Sequence, residues 1–211
     1  MRYKLVAFDM DGTLVEEHSC WGIIHRHFGT QQEASKNLEA WERGEINYSE
    51  FMRLDIKLWQ PTPHISQVEE ILSNFKLAPN VFGVVSKLRG KGYHVAIVTG
   101  GLDVLAKKVA DRLKIEHVLA NGIEVDERGY LTGEGIFRVE PNCKHEALEE
   151  LVNKLRIRMD ECVGVGDSKY DSNLFEHVGL GVAVGRDETL ARVADVVIED
   201  FEYFEQLLNY L

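Results

Sequence analysis

Two carboxylates stand directly behind an apolar run in LVAFDMDGTLV, residues 5 to 15. If Leu5 to Phe8 is a buried strand, Asp9 and Asp11 point to the same side, because strand side chains repeat with period two. Two like charges side by side at the end of a buried element destabilise it unless a cation holds them. Three further features fall in order behind apolar runs or at a helix start: Thr99-Gly100-Gly101, Lys144, and GDSKYD (166–171) with Asp167 and Asp171. Singly, each has a bland explanation. Asp-x-Asp is common in surface turns, Thr-Gly-Gly after a strand is usually a turn, and a lysine opening a helix is usually solvated. GVGD is a fragment of a dinucleotide fingerprint, but the third glycine is missing.

Together these residues solve one problem, the attack of an anionic nucleophile on an anionic phosphate. A divalent cation bound by one oxygen each of Asp9 and Asp167 would screen nucleophile from substrate. Mg²⁺, which keeps several waters and takes few carboxylates, suits this supply. The Thr99 hydroxyl and the Gly100 and Gly101 amides can donate to phosphate oxygens, with glycine letting the backbone come close. Lys144 adds positive charge beside Asp9 and the developing equatorial charge. Asp11 could protonate the leaving alkoxide and then deprotonate water. Asp171 is placed to orient Lys144 or a metal-bound water.

Such residues need a frame that brings them to one edge. Short apolar runs recur at LVAF (5–8), HVAIVT (94–99), CVGVG (162–166) and GVAVG (181–185), each followed by Asp, Gly or Thr. Helical patterns lie between them at 81–92, 102–114 and 144–156, and further short runs at 117–120 and 195–199 supply extra strands. Continuous apolar strands alternating with amphipathic helices predict an α/β fold, a Rossmann-like doubly wound parallel sheet covered on both faces. Ligands of such sheets gather at the carboxyl ends of the strands, where Asp9, Thr99 and Asp167 fall.

Two segments break the alternation. Residues 122–139 have period-two stretches around DERG and read as a β-hairpin or small excursion. Residues 15–78 hold no strand-like run and read as a small helical insertion after strand one, with Pro61 and Pro63 in a turn. Within it, residues 48–59 form a helix that gathers Phe51, Leu54 and Leu58 on one face. Trp41, Trp59 and Phe51 read as the core of the insertion, although one of them could line an apolar leaving-group pocket. His18, His25 and His27 near Trp21 read as ordinary helix residues rather than a metal cluster, with His18 alone, by its position, a candidate substrate contact, and Cys20 reads as a buried thiol.

The 211 residues allow one large domain or a core with a smaller inserted unit. A net charge of -11 argues against a non-specific nucleic-acid partner. The three cysteines lie far apart without a CxxC, which makes a reducing, cytoplasmic setting the expectation. The chain enters a strand-like run at once, and no apolar stretch approaches the ~18 residues of a membrane span.

DMDGTL (9–14), TGG, Lys144 and GDSKYD resemble, in order, the four motifs of the haloacid dehalogenase-like phosphatase superfamily. The resemblance covers residues 1–14 and 79–211 and implies that Asp9 is a nucleophile forming an aspartyl-phosphate. It further implies that Asp11 is the general acid/base and that the Asp11 main-chain carbonyl is another Mg²⁺ ligand. The insertion at 15–78 matches the position of a helical cap in one branch of the family. GEINYSEF, VTGGLD, LANGIEVD and YLTG look most similar to phosphoserine phosphatases. Members of that group carry a glutamate nine residues after the nucleophile for the substrate ammonium; here the count lands on His18. They carry a cap arginine for the substrate carboxylate; here the position is Asp55, with Arg53 two residues earlier. Tyr170 replaces an asparagine of the last motif, and Thr99 replaces a serine while keeping its hydroxyl. The resemblance therefore implies a hydrolase of a small phosphorylated metabolite whose amino-acid-reading charges are altered, unless Glu17 and Arg53 substitute through a small shift. A phosphotransferase or phosphomutase would use the same Asp9. A phospho-receiver module is disfavoured by the chain length, Asp11 and the cap, and a non-catalytic relative by the intact Asp9, Asp11, Lys144 and Asp167.

Overall fold

The computed structural model describes residues 2–211. Its seven strands are β1 (Leu5–Phe8), β2 (His94–Leu102), β3 (His117–Val125), β4 (Leu131–Ile136), β5 (Cys162–Gly166), β6 (Leu180–Val184) and β7 (Val196–Ile198). They form one sheet in the order β4-β3-β2-β1-β5-β6-β7, parallel throughout except where β4 runs antiparallel to β3. The hairpin at 122–139 is this β3–β4 pair. β1 is central, with Leu5 in register with His94 on one side and Cys162 on the other.

Strand alternation divides the interior into two halves, as period two requires. Val6, Phe8, Val95, Ile97, Val163 and Val165 pack on one face, against α5 (Val81–Gly90), α6 (Asp103–Leu113) and the C-terminal 3₁₀ stretch Phe201–Tyr210. Leu5, Ala7, Ala96 and Val98 pack on the other, against α7 (Lys144–Leu155) and α8 (Ser172–His177). A short α9 (Glu188–Ala191) precedes β7. The fold is thus the doubly wound α/β sheet that the apolar runs predict.

Four helices lie between β1 and α5: α1 (Cys20–Phe28), α2 (Gln31–Glu42), α3 (Tyr48–Leu58) and α4 (Ile65–Ile71). The outgoing and returning chains run side by side at the base of this segment. The Glu16 amide donates to the Lys76 carbonyl (3.0 Å) and the Ala78 amide to the Leu14 carbonyl (3.0 Å). Ser19 caps α1 by accepting from the Gly22 amide, and Asn47 caps α3 by accepting from the Glu50 amide.

Two expectations differ from the structure. α3 buries Tyr48, Phe51, Met52, Asp55 and Ile56, so Phe51 is buried as expected, whereas Leu54 and Leu58 are only half-buried. Two surfaces compete for this helix, the cavity described below and β4, so the stripe at 48/51/52/55/56 turns inward. Thr99-Gly100-Gly101 is not a turn after β2. The strand continues through Leu102, with a register irregularity against β3 between Val98 and Leu102.

Candidate active site

The site lies at the carboxyl ends of three adjacent strands. Asp9 follows β1, and its amide donates to the Val165 carbonyl of β5 (2.8 Å), which fixes where its side chain leaves the sheet. Asp167 follows β5, Thr99 lies near the end of β2, and Lys144 opens α7. Gly12 turns the chain between Asp11 and Thr13 with φ +77°, and a Cβ there would overlap the Asp167 carboxylate. Glycine is required on both counts, left-handed backbone and close approach.

Lys144 is the cation that holds Asp9 beside Asp11. Its ammonium donates to Asp9 Oδ1 (2.8 Å) and Asp171 Oδ1 (2.7 Å), with all three side chains buried. Burial pulls Lys144 toward neutrality, but Asp171 and then Asp9 more than offset it, so the group stays charged well above its ordinary range. Asp171 Oδ2 also accepts the Asp167 and Ser168 amides (3.2 and 3.3 Å). Asp171 is therefore saturated by protein donors and positions Lys144.

Four carboxyl groups, those of Asp9, Asp11, Asp167 and Asp171, share this one ammonium. Burial pushes Asp167 up from its ordinary value, and repulsion from Asp9 and Asp171 pushes it further; the Lys144 charge and then the Thr13 hydroxyl (3.3 Å) offset only part. Asp11 is pushed up to about 7, first by burial and then by Asp9, against stabilisation by Cys20 and Lys144. The residue as a whole is partly exposed, but its Oδ1 is buried and has no hydrogen-bond partner among the described residues. An unpaired buried carboxyl oxygen is costly, and it suits a group that holds a proton.

Asp9, Asp167 and Asp171 each offer an oxygen within 4.8 Å of the others. This hard-oxygen donor set, short of positive charge, fits Mg²⁺. Asp171 is already engaged, which leaves Asp9 and Asp167 as the side chains best placed to hold a cation.

A cavity of about 550 Å³ opens over these groups. Asp9, Asp11, His18, Thr99, Gly100, Gly101, Lys144, Asp167 and Tyr170 all line it. Within β2, the Thr99 hydroxyl accepts the Gly101 amide (3.0 Å), so that amide already has a partner. The Gly100 carbonyl accepts the Tyr48 hydroxyl (2.7 Å) and the Asn121 amide (3.1 Å).

A family model for the haloacid dehalogenase-like hydrolases matches residues 6–176. The chain belongs to this family. It is 30% identical over 209 residues to the phosphoserine phosphatase of Methanocaldococcus jannaschii, covering 99% of this chain and 97% of that protein. It is 33% identical over 193 residues to the phosphoserine phosphatase of Archaeoglobus fulgidus, covering 91% of this chain and 55% of that protein. A solved structure described as a phospho-aspartyl intermediate analogue of phosphoserine phosphatase superposes with a TM-score of 0.83 at 28% identity, covering all of both chains. This member of the haloacid dehalogenase-like hydrolases is a phosphatase.

The haloacid dehalogenase-like motifs converge in space, but the two substitute residues considered for substrate charge do not. Arg53 bonds Glu50 (3.1 Å) and is absent from the cavity wall, because α3 turns residues 48, 51 and 55 inward and position 53 away. Glu17 also lies outside the wall; its carbonyl accepts the Gly12 amide and its carboxylate faces the Lys76 amide. His18 lies in the wall with Nδ1 3.6 Å from Asp167 Oδ2. Tyr170 also lines the wall, and its hydroxyl bonds Glu42. His25 and His18 form no joint cluster. His25 is buried, and its Nδ1 accepts the Trp59 indole N–H (3.2 Å), so the ring proton sits on Nε2 and is donated to Asp55 Oδ2 (3.0 Å). Asn37 donates to the other Asp55 oxygen (2.7 Å). Thr13 also reaches this edge, its hydroxyl donating to Asp167 Oδ1 (3.3 Å); because Gly12 turns the chain just before it, strand periodicity carries no signal for that contact.

Proposed function

We propose that this phosphatase hydrolyses small phosphomonoesters in two steps through an ester on Asp9, with residues 15–78 capping a core of 1–14 and 79–211. The observation that carries the reading is the set of buried carboxyl groups around Lys144 at adjacent strand ends. Lys144 engages Asp9 Oδ1, which leaves Oδ2 to attack phosphorus. Asp11, held near neutrality by burial and by Asp9, gives its proton to the leaving alkoxide and then accepts one from the water that cleaves the ester. The Thr99 hydroxyl and the Gly100 amide, with Lys144, would hold the phosphoryl oxygens, while the Gly101 amide is bonded to the Thr99 hydroxyl and fixes its orientation. Mg²⁺, held by Asp9, Asp167 and the Asp11 main-chain carbonyl, would supply the charge that lets a dianionic phosphate enter an acidic site. His18 and Tyr170 would contact the leaving group from the wall.

The substrate of the relatives named above is a phosphorylated amino acid. In this chain the acid at the corresponding cap position, Asp55, has a donor on each oxygen, and His18 replaces the expected glutamate. Altered recognition of the leaving group follows from these two positions.

Turnover of a phosphomonoester such as p-nitrophenyl phosphate is expected to vanish in EDTA and to return with excess Mg²⁺. Mg²⁺ is also expected to raise the thermal midpoint, since the folded state alone gathers Asp9 and Asp167. Full activity in EDTA would contradict the metal assignment.

A further inference from the structure

One face of α2 roofs the cavity. Gln31, Ala34, Ser35, Leu38 and Trp41 recur at helical spacing and all line it. None is charged, whereas Glu33, Lys36, Glu39 and Glu42 of the same helix lie outside the lining. Leu38 is 38% exposed, an apolar side chain facing open space where a solvated helix would carry a polar one.

Opposite this face the wall is aromatic, with Trp21 from α1 and Tyr48 and Phe51 from α3. These rings brace one another: Trp21 and Phe51 meet edge-on at 5.7 Å, and Tyr48 and Phe51 stack at 5.1 Å. Their polar tips are already occupied, because the Trp21 N–H and the Tyr48 hydroxyl both donate to the Gly100 carbonyl. What remains toward the cavity is carbon. The one acid in this part of the wall, Asp55, is buried and already accepts from His25 and Asn37, so little of its carboxylate is presented to a substrate ammonium. A zwitterionic leaving group would bring an unpaired charge into this compartment, whereas an aryl group would bury apolar area against preformed ring surface.

We propose that the leaving group is an alcohol bearing a flat, apolar aryl group, seated between the Leu38 face of α2 and the Trp21–Phe51 pair. This inference rests on the phosphomonoesterase reading above. Arg26 and His18 are the exposed basic side chains of the lining that could instead hold an anionic substituent, and the experiment separates that alternative.

Steady-state kcat/KM is measured with Mg²⁺ for phenethyl phosphate, ethyl phosphate and phosphoserine, all alkyl esters, so that differences report the pocket more than the chemistry. Phenethyl phosphate is expected to exceed both others by about tenfold or more. In Leu38→Lys, a change at an exposed position, the ratio of phenethyl to ethyl phosphate is expected to fall toward one; the ratio, not either rate, is the readout. Phosphoserine as the best substrate would overturn the inference in favour of charge recognition through Arg26 or His18. Equal turnover of all three esters, or a ratio unchanged in Leu38→Lys, would overturn it while leaving the phosphatase reading intact. Hydrolysis of none of them would defeat both.

Discussion

Replacing Asp9 by asparagine is expected to lower phosphomonoester turnover by on the order of 10⁴-fold or more, because the step that loses its nucleophile has no substitute. The folded state should survive. Lys144 keeps its 2.7 Å bond to Asp171, and an asparagine oxygen can still accept from it. Asp167, pushed up by burial and by repulsion from Asp9, loses that repulsion in the variant. In metal-free buffer the melting temperature should therefore be equal to or above that of the unmodified protein. Circular dichroism melts alongside rate measurements separate an inactive folded enzyme from an unfolded one. Residual activity above a few per cent would contradict the assignment.

Lys144→Met is expected to damage both stability and rate. Among the described residues the ammonium is the one cation bonded to two buried carboxylates, and its loss strands Asp171, which is fully buried, and Asp9. Breaking a buried pair by removing one partner costs about 3–5 kcal/mol, which for a chain of this size lowers the melting temperature by about 10 °C. Loss of its charge beside the transferred phosphoryl group should lower kcat by on the order of 10³-fold. Adding Asp171→Asn to Lys144→Met should recover part of the stability and none of the rate. Stability is then assigned to the buried charge imbalance and rate to the ammonium itself. A Lys144→Met protein as stable as its parent would contradict this account of the site's electrostatics.

The sheet and the acidic edge were legible because both depend on short-range signals. A run such as LVAF, buried on both faces, announces a central parallel strand, and the residue after it, Asp9, lands at the carboxyl end with no further information. The spacing of Asp167 and Asp171 likewise closes a local loop, in which Asp171 accepts the amides of Asp167 and Ser168. The helical segment was harder, since its inward face is decided by two partners at once. Reading Phe51, Leu54 and Leu58 as one stripe overlooked that Tyr48, Phe51 and Asp55 fall on another, which carries an acid. That stripe was the available signal for a buried Asp55 and against a role for Arg53. The His25–Asp55 contact joins α1 to α3 across 30 residues, and no periodicity reveals such a pairing.

Asp9 and Asp11 are tolerated side by side for the same electrostatic reasons. Asp9 is bonded to Lys144, while Asp11 is held near neutrality by its burial beside Asp9 and keeps an unpartnered oxygen. The two carboxyl groups stand together because they do different work, one attacking and one carrying the proton.

The most direct test of that division is to quench the enzyme during turnover of a labelled phosphomonoester, digest it, and locate the phosphoryl group by mass spectrometry. The account predicts a hydroxylamine-labile phosphoryl group on Asp9, accumulating further in Asp11→Asn when the substrate is p-nitrophenyl phosphate, whose leaving group departs without a proton while breakdown of the ester lacks its base. A phosphoryl group found on any other side chain, or turnover with none on the protein, would contradict it.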